Sequence, residues 1–440
     1  MWKYSSIYLK ARSQLGKYLQ QATQVRHQIR DPLYRNSLFL MANTILTSGL
    51  GFFFWVVVAR FYTEEEVGLG AAIISAMTLL ALLSRLGLDI ALIRFLPKAE
   101  KPVDMINSCF TLSGIVALAV AAIFIAGLDF WSPALGFIKQ SAIFSLAFVL
   151  FAFLWTLSLM MDFIFIARRR ADFVLSKNTI HQLLKIPLPI LLVLFFRAFG
   201  IVSSWGLAIG VALVISLFFF IPRVQKRYKP MPKLNLGIIK DMWRYSAGNY
   251  FASLFMAAPA LVLPIMIVNL LGGEENAYFY VAWAIATLLF VIPGAVSQSL
   301  FAEGSHFEDK LGVNVRRSYI FIFLLLIPAI ILLLLLGKWL LLLYGESYSE
   351  NALMLLWILG VSSLLVGVNS IYYSILRVRG RIRELVIIAG FITLAVLVGS
   401  YLITPMTGII GIGYVWIAAQ VVVSVYVLLA MRASYIARRV

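Results

Sequence analysis

The chain has 440 residues, of which 62% are hydrophobic and 13% are charged, and its formal net charge is +18. Soluble domains carry about 25% charged residues, so this composition excludes an ordinary soluble fold and predicts a polytopic membrane protein. Basic residues gather on the cytoplasmic side of membrane proteins, so the net charge is explained without nucleic acid. A single cysteine and three scattered histidines exclude an intramolecular disulfide and the ligand spacing of zinc sites, and we expect no cofactor and no metal.

Residues 1–35 contain no apolar run long enough to cross a membrane. Apolar residues recur there at helical spacing, and Lys3, Lys10 and Lys17 lie off that stripe. The pattern predicts a basic amphipathic helix on the inner membrane surface, with a docking or coiled-coil helix as the alternative. Asp31-Pro32 ends it, because proline disfavours helix in the preceding residue.

Twelve segments of membrane-spanning length follow. Each contains or exceeds the roughly 20 apolar residues that a helix needs to cross a bilayer. We therefore predict an all-α integral membrane fold with about 12 transmembrane helices, at residues 38–59, 67–96, 104–128, 138–167, 171–196, 200–222, 238–268, 276–302, 313–337, 348–376, 382–403 and 409–431.

The connections between these segments alternate in charge. Both tails and the even-numbered loops, with Arg168–Arg170 and Lys177 counted among the loop residues, hold 31 of the 37 lysines and arginines, and the opposite side holds four. Lysine and arginine mark the cytoplasmic side, so this split predicts cytoplasmic termini and a plasma-membrane location.

A weak internal repeat appears when the chain is laid over itself so that Glu65 falls on Glu274. Glu66 then falls on Glu275, and Thr78 falls on Thr287. Six helices separate the copies, so both have the same orientation, which predicts two lobes related by a pseudo-twofold axis along the membrane normal. The expected organisation is an amphipathic segment 1–35, an N-terminal lobe 36–222, a flexible cytoplasmic linker 223–237 and a C-terminal lobe 238–440.

The predicted second span, 67–96, contains Arg85 and Asp89. On a helix these side chains share a face, and a charge at membrane depth is rare unless it lines a wet cavity or has a partner. One interpretation is an ion pair packed between helices. The other, which we favour, is a polar lumen through which a charged substrate passes.

Further polar residues extend this lumen in the first half of the chain. Asp162 lies in the fourth span, where pairing with Arg168–Arg170 is an equal alternative, and the fifth span carries Asn178, His181 and Lys185 on one face. We expect a substrate cavity with an anion-binding character and ion coupling through Asp89 and Asp162. A structural hydrogen bond is at least as plausible for His181. The predicted cavity residues are Arg85, Lys185, His181, Arg94, Asn178 and Asn249.

Three classes of function compete. A transporter that alternates access between two lobes accounts for the duplication and the charged lobe. A membrane enzyme acting on lipid-linked sugars would present paired carboxylates or a sizeable soluble loop, and a channel or scaffold would not need a duplicated fold with one charged lobe. We therefore expect no enzyme activity, and the absence of a Walker A sequence argues against ATP binding by a P-loop.

Two short stretches resemble a known family. They are Ala59–Thr63 followed by Glu66-Val67-Gly68, and Leu86–Asp89 followed by Ile93–Pro97. The sequence is similar here to the polysaccharide transporter, O-antigen flippase-like family of the multidrug/oligosaccharidyl-lipid/polysaccharide exporter superfamily. Within the motifs, Arg60, Gly87, Asp89, Arg94 and Pro97 match.

The resemblance implies a V-shaped, two-lobed fold that flips polyprenyl-linked oligosaccharides across the cytoplasmic membrane, with ion antiport. The expected partners are that lipid-linked oligosaccharide, a coupling ion (Na⁺ or H⁺) and membrane lipids, and we expect a monomer. The alternatives are a multidrug cation antiporter of the same superfamily and, further off, a membrane-embedded enzyme for lipid-linked sugars.

Overall fold

A computed structural model describes residues 32–306 and 311–436 of the chain. The predicted amphipathic helix lies outside the described residues, except for its last few positions. Everything described is helix or short connection, as the membrane requires, because a spanning helix satisfies its backbone hydrogen bonds internally.

Thirteen helices of eight or more residues can be followed in the described part of the chain. Shorter helical turns at Leu96–Lys98, Leu128–Trp131, Pro133–Ile138, Ser216–Phe220, Ile221–Val224 and Glu346–Asn351 connect or extend them. The long helices are α1 (Pro32–Phe61), α2 (Glu64–Ser84), α3 (Leu88–Phe95), α4 (Pro102–Ala126), α5 (Ala142–Ala167), α6 (Ala171–Lys185), α7 (Leu188–Phe196), α8 (Ala198–Ile215), α9 (Leu236–Leu270), α10 (Gly273–His306), α11 (Leu311–Leu342), α12 (Leu353–Val378) and α13 (Ile382–Ile436).

The number of membrane crossings agrees with the predicted twelve. Within the described ranges, ten helices are long and apolar enough to span, and α6 with α7 forms an eleventh, bent by 48°. Helix α13 has 55 residues, more than twice the roughly 20 that one crossing needs. It is broken at Gly408, whose φ is 62° and ψ −157°. Its two limbs, 382–407 and 409–436, match the last two predicted spans.

The predicted second span, 67–96, is not one helix. Helix α2 ends at Ser84, and α3 begins at Leu88. Between them Leu86 and Gly87 have positive φ values of 52° and 73°. A Cβ atom at Gly87 would lie 2.9 Å from the Cβ of Tyr250 on α9. Glycine is therefore required both by the backbone conformation and by the close approach of the other half of the chain.

The two halves of the chain repeat each other. In the alignment that places Glu65 on Glu274, the end of α1 and the start of α2 fall on the end of α9 and the start of α10. Further along the chain the alignment slips slightly, and Ala142 at the start of α5 falls on Leu353 at the start of α12. We call this second alignment the later register. In it, α5 matches α12 over its whole length, and the start of α6 falls on the start of α13.

The backbone breaks repeat as well. In the later register, the positive φ values of Arg169 and Arg197 recur at Gly380 and Gly408. Because helix ends and helix breaks both coincide, the fold is two six-helix lobes related by a pseudo-twofold axis.

The segment between the lobes is bound to the first lobe. Between Val224 and Leu236 the chain is not helical, and it runs along α4. The side chain of Asn107 donates to the carbonyl of Lys229 at 3.0 Å, and Thr111 and Ser108 accept from the backbone N–H groups of Lys233 and Asn235. Lys233 also pairs with Asp104 at 2.7 Å. The crossing predicted to be flexible is therefore held by hydrogen bonds along much of its length.

Candidate functional site

A line of basic side chains lies on one face of α6. Lys177, His181 and Lys185 are spaced by four residues, so they follow one another along the helix, and each is 5% exposed or less. The face points into the first lobe, towards α5 and α8. Charges at this depth are costly, so each must find a partner or mark a functional site.

The first lysine in the line is fully paired. Lys177 Nζ lies 2.9 Å from Asp162 Oδ1 on α5 and donates to the carbonyl and hydroxyl oxygens of Ser158 at 2.7 and 2.9 Å. The ammonium group thus makes one ion pair and two hydrogen bonds. The charge pattern predicts Lys177 in a basic loop, and that prediction is wrong. Its spacing of four from His181 was the signal that could have identified it.

The proposed partner of Asp162 also needs correction. The alternative considered from the sequence was pairing with Arg168–Arg170, but Arg168 donates to Gln225 and Arg170 pairs with Asp172. Asp162 pairs with Lys177 instead. The reason is geometric: the turn at 168–170 reverses the chain, so α6 runs back alongside α5.

The second ion pair lies where α2 ends. Arg85 Nη1 is 2.5 Å from Asp89 Oδ2, and Asp89 Oδ1 accepts from the backbone N–H of Ile90 at 2.8 Å. The ion pair, which the sequence left open as the alternative to a lumen, is present, and a helix break and not a continuous helix brings the two residues together. The guanidinium of Arg85 also lies 5.9 Å from the ring of Phe163, next to Asp162 on α5. The two ion pairs are thus neighbours.

Lys185 differs from the other cations. Its Nζ lies 4.5 Å from the centre of the Phe54 ring on α1, and no ion pair joins it to a carboxylate in the described ranges. Face-on aromatic contact stabilises a cation by about 2 kcal/mol or more when water is excluded, which is less than a carboxylate would give. His181, one turn away, packs beside the indoles of Trp155 and Trp205, which contact each other. We call Arg85, Asp89, Asp162, Lys177, His181 and Lys185 the charged cluster.

The remaining predicted cavity residues lie outside the charged cluster. Asn178 donates to Asn43 Oδ1 on α1 at 3.0 Å. Arg94 is exposed and stacks on the ring of Tyr245, 4.2 Å from its centre, so it bridges α3 and α9. Asn249 is half-buried on α9. The predicted set therefore separates into Arg85, His181 and Lys185, which belong to the charged cluster, and three residues outside it, of which Arg94 contacts the second lobe.

The lobes are sealed at one end of the molecule. We call this the short-loop end, formed by the connections 62–63, 127–141, 271–272 and 343–352. Gly68 touches Gly273, where an added Cβ would lie 1.7 Å from the carbonyl oxygen. Asn276 donates to the carbonyl of Gly68 at 2.7 Å. Small residues allow membrane helices to approach this closely.

Polar contacts surround the contact between Gly68 and Gly273. Arg60 donates to the carbonyls of Leu342 and Leu343 at 2.8 Å each, and Ser347 donates to Glu64 at 2.5 Å. Burial raises the pKa of the Tyr348 phenol, which keeps it neutral. The short-loop end is therefore closed by backbone contact, hydrogen bonds and packed rings.

The opposite end carries the connections 85–87, 96–101, 168–170, 225–235 and 379–381, and we call it the basic end. On one side the lobes stay in contact there, since Tyr250 donates to the carbonyl of Leu83. On the other side, α1 meets the second lobe through Trp55 and Phe52 near the short-loop end. No described hydrogen bond, ion pair or ring contact joins residues 38–50 of α1 to the second lobe. The described ring contacts between α1 and the second lobe are therefore those near the short-loop end.

No group of three or more histidine, cysteine, aspartate or glutamate side chains in residues 32–306 and 311–436 is placed to hold a metal ion. The site thus contains two ion pairs, a cation against an aromatic ring and an imidazole beside two indoles.

Comparison with known proteins gives concordant results. A family model described as "Polysaccharide biosynthesis protein" matches residues 33–302, well over half of the chain. A putative O-antigen transporter from Shigella flexneri is 23% identical over 177 residues, covering 38% of this chain. The alignment spans 42% of that relative's length.

Solved structures match over nearly the whole chain. The lipid II flippase MurJ in an inward closed conformation aligns with a TM-score of 0.74 and 14% identity, covering 90% of this chain and 87% of that one. A multidrug resistance MATE family transporter of the MOP superfamily, in an inward-facing conformation, aligns with a TM-score of 0.68 and 17% identity, covering 89% and 96%. At these identities the likeness is one of fold.

Proposed function

We infer the function from the family to which this chain belongs, the polysaccharide biosynthesis proteins, and propose that it is a flippase. Its substrate would be a polyprenyl-(di)phosphate-linked oligosaccharide, moved from the cytoplasmic to the outer face of the plasma membrane. The chain has the fold of MOP superfamily transporters. The observation that carries the substrate class is the charged cluster, in which Lys185 is buried and pairs with no carboxylate of residues 32–306 and 311–436.

In this proposal the basic end faces the cytoplasm and the termini lie on that side. The diphosphate group enters between the two lobes from the basic end, while its polyprenyl tail remains in lipid. Lys185 supplies a point charge, and Arg85 can exchange Asp89 for a phosphate, since guanidinium groups bind phosphate oxygens in pairs. Opening of the short-loop end then releases the sugars outside, as in the rocking of lobes known for transporters.

The runner-up function, export of cationic drugs, is less compatible with this arrangement. A drug cation needs an available carboxylate at membrane depth. Asp89 and Asp162 are both occupied by cations, whereas the group without an ionic partner in the described cluster is itself a cation. We therefore favour an anionic substrate.

The test is flipping of a fluorescent polyprenyl-diphosphate oligosaccharide in proteoliposomes, with and without a sodium or proton gradient. We expect Arg85→Ala combined with Lys185→Ala to abolish flipping while leaving membrane insertion close to wild type. Because Arg85→Ala leaves Asp89 without its cation, flipping is compared per amount of folded protein. Lys338→Ala, which removes an exposed cation outside the charged cluster, is the matched control. Full transport by the double variant would exclude an anion site at the charged cluster, and transport of cationic drugs instead would favour the runner-up.

A further inference from the structure

The second lobe contains a cavity of about 170 Å³ between α9, α10, α12 and α13. Met256, which is exposed, lies at its rim on α9, and the interior is lined by polar and aromatic side chains. Pro259 shapes one wall. It has no N–H to donate to the carbonyl of Phe255, and the hydroxyl of Thr393 on α13 donates to that carbonyl instead.

The internal repeat shows which residues of the first lobe correspond to the lining of this cavity. In the later register, Ser158, Asp162 and His181 of the first lobe fall on three residues that line the cavity, Asn369, Tyr373 and Ile392. Trp205 likewise falls on Trp416. The cavity therefore lies in the second lobe where Asp162 and His181 of the charged cluster lie in the first. Neutral residues, Tyr373 and Ile392, stand at these two positions.

The polar groups of the cavity include unused donors. Asn369 donates to Gln420 Oε1 at 2.8 Å and accepts from Ser424 at 3.0 Å. These bonds orient the Gln420 amide, which is 4% exposed. Its NH₂ group, the hydroxyl of Ser370 and the hydroxyl of Tyr373 have no hydrogen-bond partner in the described part of the chain. These groups line the cavity, so a ligand with acceptor oxygens can accept hydrogen bonds from them.

Aromatic rings form the apolar part of the same cavity. Phe290 stacks on Trp416 with ring centres 6.1 Å apart, and the Trp416 N–H donates to Ser362, which fixes the indole. The lining has no carboxylate, so it lacks the ligand that hard cations prefer. Its volume is also below the roughly 300 Å³ of a site for a drug-sized molecule.

Amide and hydroxyl donors beside fixed aromatic faces suit one sugar ring, which carries hydroxyl oxygens at its edge and C–H groups on its faces. We propose that this cavity binds one monosaccharide unit of the substrate, while the charged cluster of the first lobe binds the phosphates. This inference rests on the proposed function and adds a division of labour to it: one lobe recognises the lipid phosphate and the other the glycan.

The experiment compares two probes that differ by a single sugar, polyprenyl diphosphate and polyprenyl-diphosphate N-acetylglucosamine. Their dissociation constants are measured with the purified full-length protein by native mass spectrometry. The variants are Gln420→Leu and Ser370→Ala, and the second is included because the first also removes the bond to Asn369. Gln140→Leu makes the same change on an exposed residue at the short-loop end and serves as the control.

We expect both variants to weaken binding of the glycosylated probe by about five- to tenfold, the loss of one hydrogen bond. Binding of polyprenyl diphosphate should stay unchanged, as should both affinities of the control. Unchanged affinity for both probes, or an equal loss for both, would overturn the sugar subsite. Failure of the wild-type protein to bind either probe would instead overturn the proposed function on which the subsite rests.

Discussion

At the scale of single residues, the ion pair of Lys177 and Asp162 leads to a prediction about the free energy of unfolding. Lys177 is buried and the side chain of Asp162 is 14% exposed, and breaking a buried pair by removing one partner costs about 3–5 kcal/mol. We predict that Lys177→Met lowers the free energy of unfolding in detergent by about that amount. Adding Asp162→Leu should recover much of it, because an apolar pair of similar volume is often neutral.

The control for this prediction is Lys338→Met, which removes an exposed lysine. Such surface changes stay within about 0.5 kcal/mol. If Lys177→Met were as mild as Lys338→Met, the described ion pair would carry no net stabilisation. If the variant with both Lys177→Met and Asp162→Leu had a lower free energy of unfolding than Lys177→Met alone, the broken ion pair would not explain the lost stability.

Asp89 gives a functional prediction at the same scale. Asp89→Asn keeps the shape of the side chain but cannot bind or release a proton and cannot carry a charge. We predict that this variant flips substrate without responding to the ion gradient. Asp129→Asn, in an exposed pair with Lys139 at the short-loop end, should keep the response. A gradient dependence that is unchanged in Asp89→Asn would remove Asp89 from coupling.

The residues of the charged cluster were only partly predictable. Arg85, Asp89, His181 and Lys185 stand out because they interrupt long apolar runs. Lys177 does not stand out, because it follows Arg168–Arg170 and Asp172 and therefore looks like a loop residue. The pairing of Asp162 with Lys177 depends on where the chain turns between α5 and α6, which composition does not specify.

At the scale of helices, the contact between α2 and α10 controls the short-loop end. Gly68→Val would place a branched side chain where the carbonyl of Gly273 lies. We predict that this variant shifts the protein towards a state open at the short-loop end. The measurement is thiol labelling of Ala277→Cys, which is fully buried in the closed contact, against a low background because Cys109 is buried.

Gly49→Val is the matched control for Gly68→Val. An added Cβ at Gly49 on α1 meets no atom within 4 Å, so the substitution is expected to be accommodated. Labelling of Ala277→Cys should rise with Gly68→Val and stay low with Gly49→Val. Equal labelling in both backgrounds would show that the glycine contact does not hold this end closed.

The helix break at Gly408 could be predicted from the sequence, and the break at Gly87 could not. The break at Gly408 was predicted, because the apolar run of α13 is too long for one crossing. The break at Gly87 was not, because the run from 67 to 96 has the length of one span. What ends α2 early is the approach of Tyr250 and Ser246 from α9. That contact is far away in sequence and leaves no local signal.

At the scale of the whole molecule, Arg60 and Glu64 form hydrogen bonds that connect the two lobes at the short-loop end. Arg60→Ala removes two hydrogen bonds to the backbone of the second lobe. With about 1 kcal/mol for each bond, the population of the state open at the short-loop end should rise roughly tenfold or more. Spin labels at the exposed residues Lys139 and Glu350 would report this as a longer distance between the lobes.

Substitution of another arginine tests whether the effect of Arg60→Ala comes from the lost hydrogen bonds between the lobes or from the lost charge. The guanidinium of Arg223 bonds to the carbonyl of Phe219 in its own helical turn. Arg223→Ala should therefore leave the distance distribution between Lys139 and Glu350 unchanged. A distribution that is unchanged in Arg60→Ala as well would mean that packing around Gly68 suffices to keep the end closed.

The internal duplication is a feature of the whole molecule that could be recognised from the sequence alone. Loop positions and helix count were enough to align the first two helices of each lobe. The slip into the later register was not detectable, because the later helices share little identity. It becomes clear only when helix ends and positive φ angles are compared.

The charged face of α6 also has a consequence for how the protein is made. A lysine in the middle of a segment opposes its insertion into the bilayer by about 2.5–3.5 kcal/mol, and α6 qualifies as a span only together with α7. Such a segment moves poorly from the translocon into the bilayer without another helix. Because Asp162 on the preceding helix neutralises Lys177, we expect α5 and α6 to be released into lipid as a hairpin. Biogenesis of the first lobe would then depend on the same ion pair that holds it together afterwards.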